Sequence, residues 1–262
     1  MIGSGTGRNQ SKGFVCTVAA LTIAACAPPA PAAAPSAPSA GAPAPDIAKT
    51  AYPKMAPLEE YLMDRDAELA LARSAAPAPT SSVATVLALT KTGYEKVAEG
   101  TNGFVCMVER SWFSPFDDAE FWNPKERSPV CLNPPAARSA LPVSIKITEL
   151  ALAGLTTEQI LARMKALVAQ KAFPAPEVGS MSYMMSKQQY LSDAIGHAHP
   201  HLMFYVPGDM DASVWGANLP GASAVYGGGT ELPGGGRLPW TLFFVPVATW
   251  SDGTPFEARK RT

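Results

Sequence analysis

Residues 83–90 read Val-Ala-Thr-Val-Leu-Ala-Leu-Thr, and residues 104–110 read Phe-Val-Cys-Met-Val-Glu-Arg. Both runs are apolar and rich in β-branched side chains, and Gly93, Gly100, Asn102 and Gly103 stand between them. Strand formers bounded by turn formers predict two antiparallel strands with a short structured connection. Further strands are expected over 181–186, 201–206 and 241–249. Upstream, residues 57–73 predict a helix: Pro57 sits where a missing N–H is harmless, Glu59 and Glu60 complement the dipole, and Leu58, Tyr61, Leu62 and Leu69 share a face. A second helix closes at Gly154, and a third opens at Thr156, whose capping box with Gln159 precedes Ile160, Leu161, Met164, Leu167 and Val168. Val143, Ile145 and Ile147 alternate as a strand would. The glycines between 216 and 236 predict a loop without regular structure. Strands interrupted by helices, with no regular β-α-β alternation, point to one α+β domain over 50–262, its sheet mainly antiparallel and its helices on one face.

The N-terminus has a different character. Arg8 and Lys12 precede an apolar run over 14–25 that ends at Cys26. A charged start followed by a short apolar core is the pattern of a secretory signal, here residues 1–25, and the run is too short to span a bilayer as a helix. Residues 27–45 are almost wholly Pro and Ala, with a few Ser and Gly41. Such a stretch cannot build a core and favours extended polyproline II, with a reach on the order of 60 Å at about 3.1 Å per residue.

Ile23-Ala24-Ala25-Cys26 resembles the lipobox of bacterial lipoprotein precursors. The resemblance covers the signal and lipobox alone, and it implies that Cys26 is lipidated and begins the mature chain. Residues 26–49 are then a lipidated cysteine on a disordered tether, and Ala27 after the cysteine implies the outer membrane. The alternative is ordinary cleavage after a small residue and release into the periplasm. Either route exports the chain. Of the remaining cysteines, Cys106 and Cys131 are expected to form one disulfide in an oxidising compartment, closing a loop of about 25 residues and contributing roughly 3 to 3.5 kcal/mol.

A formal net charge of −1 with no basic block argues against nucleic acid as a partner. All three histidines fall in His197-Ala-His199-Pro-His201. In an extended chain these rings face one way, and a pair of them could begin a zinc site, with Asp193, Asp209 and Asp211 the nearest carboxylates. The run is similar to the His-x-His-x-Asp-His of metallo-β-lactamase-like hydrolases but has His201 and Leu202 where that motif has Asp and His. Lys91-Thr92-Gly93 resembles the penicillin-binding triplet, yet the chain has no Ser-x-x-Lys, and the triplet reads as a turn. Trp112, Phe116 and Trp122 interleave with Asp117, Asp118 and Glu120, a composition suited to stacking on an envelope glycan or a protein partner. Met184 and Met185 read as core. Together these features point to a cell-envelope lipoprotein touching the membrane through its lipid and acting as a non-enzymatic binding or structural module. A periplasmic metal-dependent hydrolase built on the histidines is the alternative.

Overall fold

In the computed structural model, which describes residues 52–220 and 223–257, Lys91 and Thr92 form a two-residue turn between β1 (Thr85–Thr90) and β2 (Gly93–Ala98). Gly93 supplies the φ of 128° with which β2 begins. The expected signal peptide, lipidated Cys26 and Pro/Ala tether lie outside the described residues. After β2 the chain returns to the other edge of β1 and enters β3 (Val105–Glu109), which runs parallel to β1 through Thr85–Val105 and Val86–Cys106. The antiparallel pairing expected between these two runs is therefore replaced by β1–β2. The return is possible because Gly100 lies against β1, where an added Cβ would stand 2.1 Å from the Thr85 nitrogen.

The other strands are β4 (Ser128–Leu132), β5 (Met181–Met184), β6 (His201–Pro207), β7 (Tyr226–Glu231) and β8 (Arg237–Pro246). They complete an eight-stranded sheet in the order β2-β1-β3-β4-β5-β6-β8-β7, antiparallel at every pairing except β1–β3. Strand β7 occupies part of the glycine-rich segment expected to be loop. It has no apolar alternation to announce it, and its glycines serve close approach: Gly227 has φ 132°, and a Cβ there would fall 2.2 Å from the Leu242 carbonyl oxygen of β8.

The helix expected over 57–73 is two pieces. A single 3₁₀ turn spans Leu58–Glu60, and α1 (Arg65–Arg73) starts afresh where the Asp64 side chain accepts from the amides of Asp66 and Ala67. Between them the Tyr61 ring turns into the core, and its hydroxyl donates to the Trp122 carbonyl at 2.8 Å. After α2 (Ala78–Ser81) and α3 (Pro134–Ser139) comes α4 (Leu141–Leu152), followed by α5 (Thr157–Ala169). Val143, Ile145 and Ile147 are helical in α4; Val143 and Ile147, four apart, are the two that bury. The Thr156–Gln159 capping box forms as the sequence predicts.

The class is α+β with the sheet dominant. Alternation along β3 separates two cores: Met107 packs with α4 and α5 residues such as Val143, Ile147 and Ile160, whereas Cys106 and Val108 pack with Leu71 and Ala72 of α1. Helices α4 and α5 thus share one face and α1 covers the other, so the helices are not all on one face as expected. Cys106 and Cys131 stand directly opposite each other on β3 and β4 and form the disulfide, buried beneath α1. A buried ion pair fixes the same helix. The Arg110 Nη2 donates to Glu68 Oε1 at 2.9 Å, and its Nε donates to the Tyr61 carbonyl at 2.8 Å. The same Glu68 oxygen accepts the Leu89 amide at 3.0 Å, where β1 has splayed from β3.

Candidate functional site

On the face carrying α4, the sheet and the helix enclose a cleft of about 920 Å³. Its floor is built by alternate residues of adjacent strands: His201, Met203 and Tyr205 of β6, and Trp240, Leu242 and Phe244 of β8. The pairings Met203–Phe244 and Tyr205–Leu242 bring these rows side by side. One wall is Ala140 with Val143, Ser144 and Ile147 of α4, residues spaced three and four apart so that they share a helical face. Phe113, Pro115, Leu191 and Ile195 also line the cleft. A concave, mostly apolar space of this size matches the upper range of small-molecule sites, roughly 300 to 1,000 Å³.

Its polar groups are carboxyls and serines. Glu109 shares the face of Met107, two residues earlier on β3, and lies directly opposite Ser128 of β4. Glu126 Oε1 accepts from Ser128 Oγ at 2.9 Å and its Oε2 from Ser114 Oγ at 3.4 Å, while Ser144 Oγ donates to Glu109 Oε1 at 3.3 Å. Burial pushes the Glu109 carboxyl up to about 7 against the pull of the Ser144 bond. Burial pushes Glu126 up to about 8, against the Ser128 bond and with help from the negative charge of Glu109. A carboxyl kept protonated near neutrality can donate a hydrogen bond, and once ionised it can hold a cation. The sequence reading passes over both residues because each is an isolated Glu without a motif. The available signal was parity: Glu109 is a carboxylate at a core-facing position of an apolar strand.

The histidines do not come together as a metal centre. The His197 ring lies 5.6 Å from that of Trp250, His199 lies 4.1 Å from Phe256, and His201 lies 5.6 Å from Phe244. His197 and His199 thus lie against one aromatic pair, Trp250 and Phe256, whose centroids are 5.4 Å apart, while His201 lies against Phe244. His201 Nδ1 pairs with the His199 carbonyl at 2.7 Å, and burial holds the His201 pKa below its ordinary value. The carboxylates nearest in sequence are engaged elsewhere: Asp193 by Lys125, Tyr52 and Tyr190, and Asp209 by Arg237. Among the described residues no group of three or more His, Cys, Asp or Glu is arranged to hold a metal ion. His199 and His201 reach the cleft, as lining.

Trp112 and Trp122, expected on a ligand surface, are core residues. The ring centroids of Trp112 and Tyr61 are 5.0 Å apart, and Trp112 Nε1 donates to Thr148 Oγ1 of α4 at 3.1 Å. Phe116 is half-buried on Phe121, 5.4 Å between centroids. The aromatic run folds inward because it supplies the apolar mass beneath α4, and from its rings Phe113 alone lines the cleft.

Set beside family models, curated proteins and solved structures, the chain matches none. The cleft's own chemistry therefore carries the functional argument. Met184 lines it and Met185 is buried, in keeping with a core role for both.

Proposed function

We propose that the protein is an exported, lipid-anchored binding module of the cell envelope that encloses an apolar or amphiphilic small molecule. The cleft carries this reading: apolar side chains from β6, β8 and α4 converge on a space large enough for one ligand, with Glu109 of β3, Glu126, Ser128 of β4 and Ser144 of α4 among its polar groups. The basic start, the apolar run, Ile23-Ala24-Ala25-Cys26 and the Pro/Ala stretch support export and anchoring, and the disulfide is compatible with an oxidising compartment. Among the described residues no helix is long and apolar enough to cross a membrane.

The binding reading predicts that a neutral apolar fluorophore such as N-phenyl-1-naphthylamine titrates to one equivalent. Leu242→Trp, which fills the floor, should weaken it at least about tenfold while the protein stays folded. Fluorescence titration with circular dichroism as the folding control decides it; a folded wild type that gives no saturable signal overturns the proposal. The anchor is tested separately: a palmitate analogue fed to the producing cells should label the wild type and not Cys26→Ser. Equal labelling of both proteins would remove the anchor and leave the cleft untouched.

A further inference from the structure

We propose that the cleft selects ligands whose apolar body carries a cationic ammonium head, seated against Glu109 and Glu126. This rests on the cleft being a binding site and adds the class of ligand. The charged lining is one-sided. Glu109, Asp118 and Glu126 line the cleft, and no Lys or Arg does so among the described residues. The three cations next to them in the chain are committed elsewhere, Lys125 to the Asp193 carboxylate. Arg110 follows Glu109 on β3 but is bound to Glu68, Tyr61 and Val108. Arg127 donates to the carbonyls of Pro124, Glu126 and Glu60.

What remains on the two glutamates is hydroxyl contact from Ser114, Ser128 and Ser144, which satisfies part of their acceptor capacity and none of their charge. An ammonium brings three donors and one positive charge on an atom small enough to sit between two carboxylates. The walls of low dielectric strengthen that attraction and penalise an anionic head equally. The titratable and charged groups about the pair are Asp118 and Arg127 for Glu126, with Tyr205 and Tyr94 close to Glu109; His199 and His201 line the same cleft, burial disfavouring the His201 cation, and the Tyr205 hydroxyl is bonded to Ser182 and that of Tyr94 to the Val108 carbonyl. Neither tyrosine supplies a cation. The pair is accordingly held partly protonated near neutrality, and an arriving ammonium must displace protons from it.

Three probes with one chain length isolate the head: octylammonium, 1-octanol and octanoate, each titrated calorimetrically into the full-length protein near neutral pH, in two buffers of different ionisation enthalpy. Octylammonium should bind at least about tenfold more tightly than octanol, and octanoate most weakly, since charge-assisted bonds are about twice as strong as neutral ones. Its observed heat should differ between the buffers by the protons released, a readout on the wild type that needs no variant. Glu109→Gln with Glu126→Gln should bring octylammonium down to the affinity of octanol and abolish the buffer dependence. Octanol binding as well as octylammonium, with no protons released, overturns this inference and leaves the binding reading intact. Failure of all three probes to bind overturns both.

Discussion

Replacing Arg110 with Ala is expected to lower the unfolding free energy by about 3 to 5 kcal/mol, because it strands a buried carboxylate. The Arg110 and Glu68 side chains are 0% and 1% exposed, so water cannot take the place of the guanidinium. Glu68 also holds the Leu89 amide, so its displacement would expose β1 where β1 has already left β3. Three elements then loosen together: α1, β1 and the carbonyl end of the Tyr61 turn that Arg110 caps. Urea unfolding followed by circular dichroism measures the loss, and a change below about 1 kcal/mol would show the pair to be worth no more than a surface contact. The double change Glu68→Leu with Arg110→Met should recover much of the deficit, since isosteric apolar replacement of a buried pair is often neutral or better.

Trp112→Ala should cost a similar amount, about 3 to 5 kcal/mol for emptying a fully buried indole site. Trp112 is 0% exposed and is the largest fully buried side chain among the described residues. Its removal takes the Tyr61 contact and the donor to Thr148, and so frees the stretch of α4 whose Ser144 reaches Glu109. The expected result is a lowered melting temperature. Trp112→Phe should retain more than half of the stability, keeping the ring and losing the N–H. A Trp112→Ala protein that melts like wild type yet loses affinity for an added ligand would put Trp112 back on a binding surface.

Much of the fold was readable because the residues concerned carry local signals. Strands β1, β3 and β5 fall within the runs read as strands, β6 and β8 overlap theirs, and Thr156 and Gln159 cap α5 through contacts three residues apart. Cys106 and Cys131 pair as the compartment argument implies. What escaped depends on distant partners. Gly227 belongs to a strand only because Leu242 lies beside it, and β1 pairs with β3 in parallel only because β2 has taken the antiparallel place. The site was less legible than the fold. Histidine spacing suggested a metal centre, but the rings pack on Trp250, Phe256 and Phe244, and among the described residues no third ligand joins them. The aromatics with acidic neighbours looked like surface, although Trp112 and Trp122 are spent on packing against Tyr61 and Phe121. Glu109 and Glu126 acquire their shared environment only when β3 meets β4 under α4, an encounter that local spacing does not record.

The position of the disulfide under α1 has a consequence for chemistry in a mixed redox environment. Both sulfurs are sealed, with Cys131 Sγ facing the Ala72 carbonyl of that helix. A thiol reductant can therefore attack only in molecules whose helix has momentarily lifted from the sheet, whatever the intrinsic reduction potential of the bond. With the Glu68–Arg110 pair holding the helix down, the lifetime of the bridge becomes a clock for the opening of a single structural element, and electrostatics on one side of the sheet governs covalent durability in its centre.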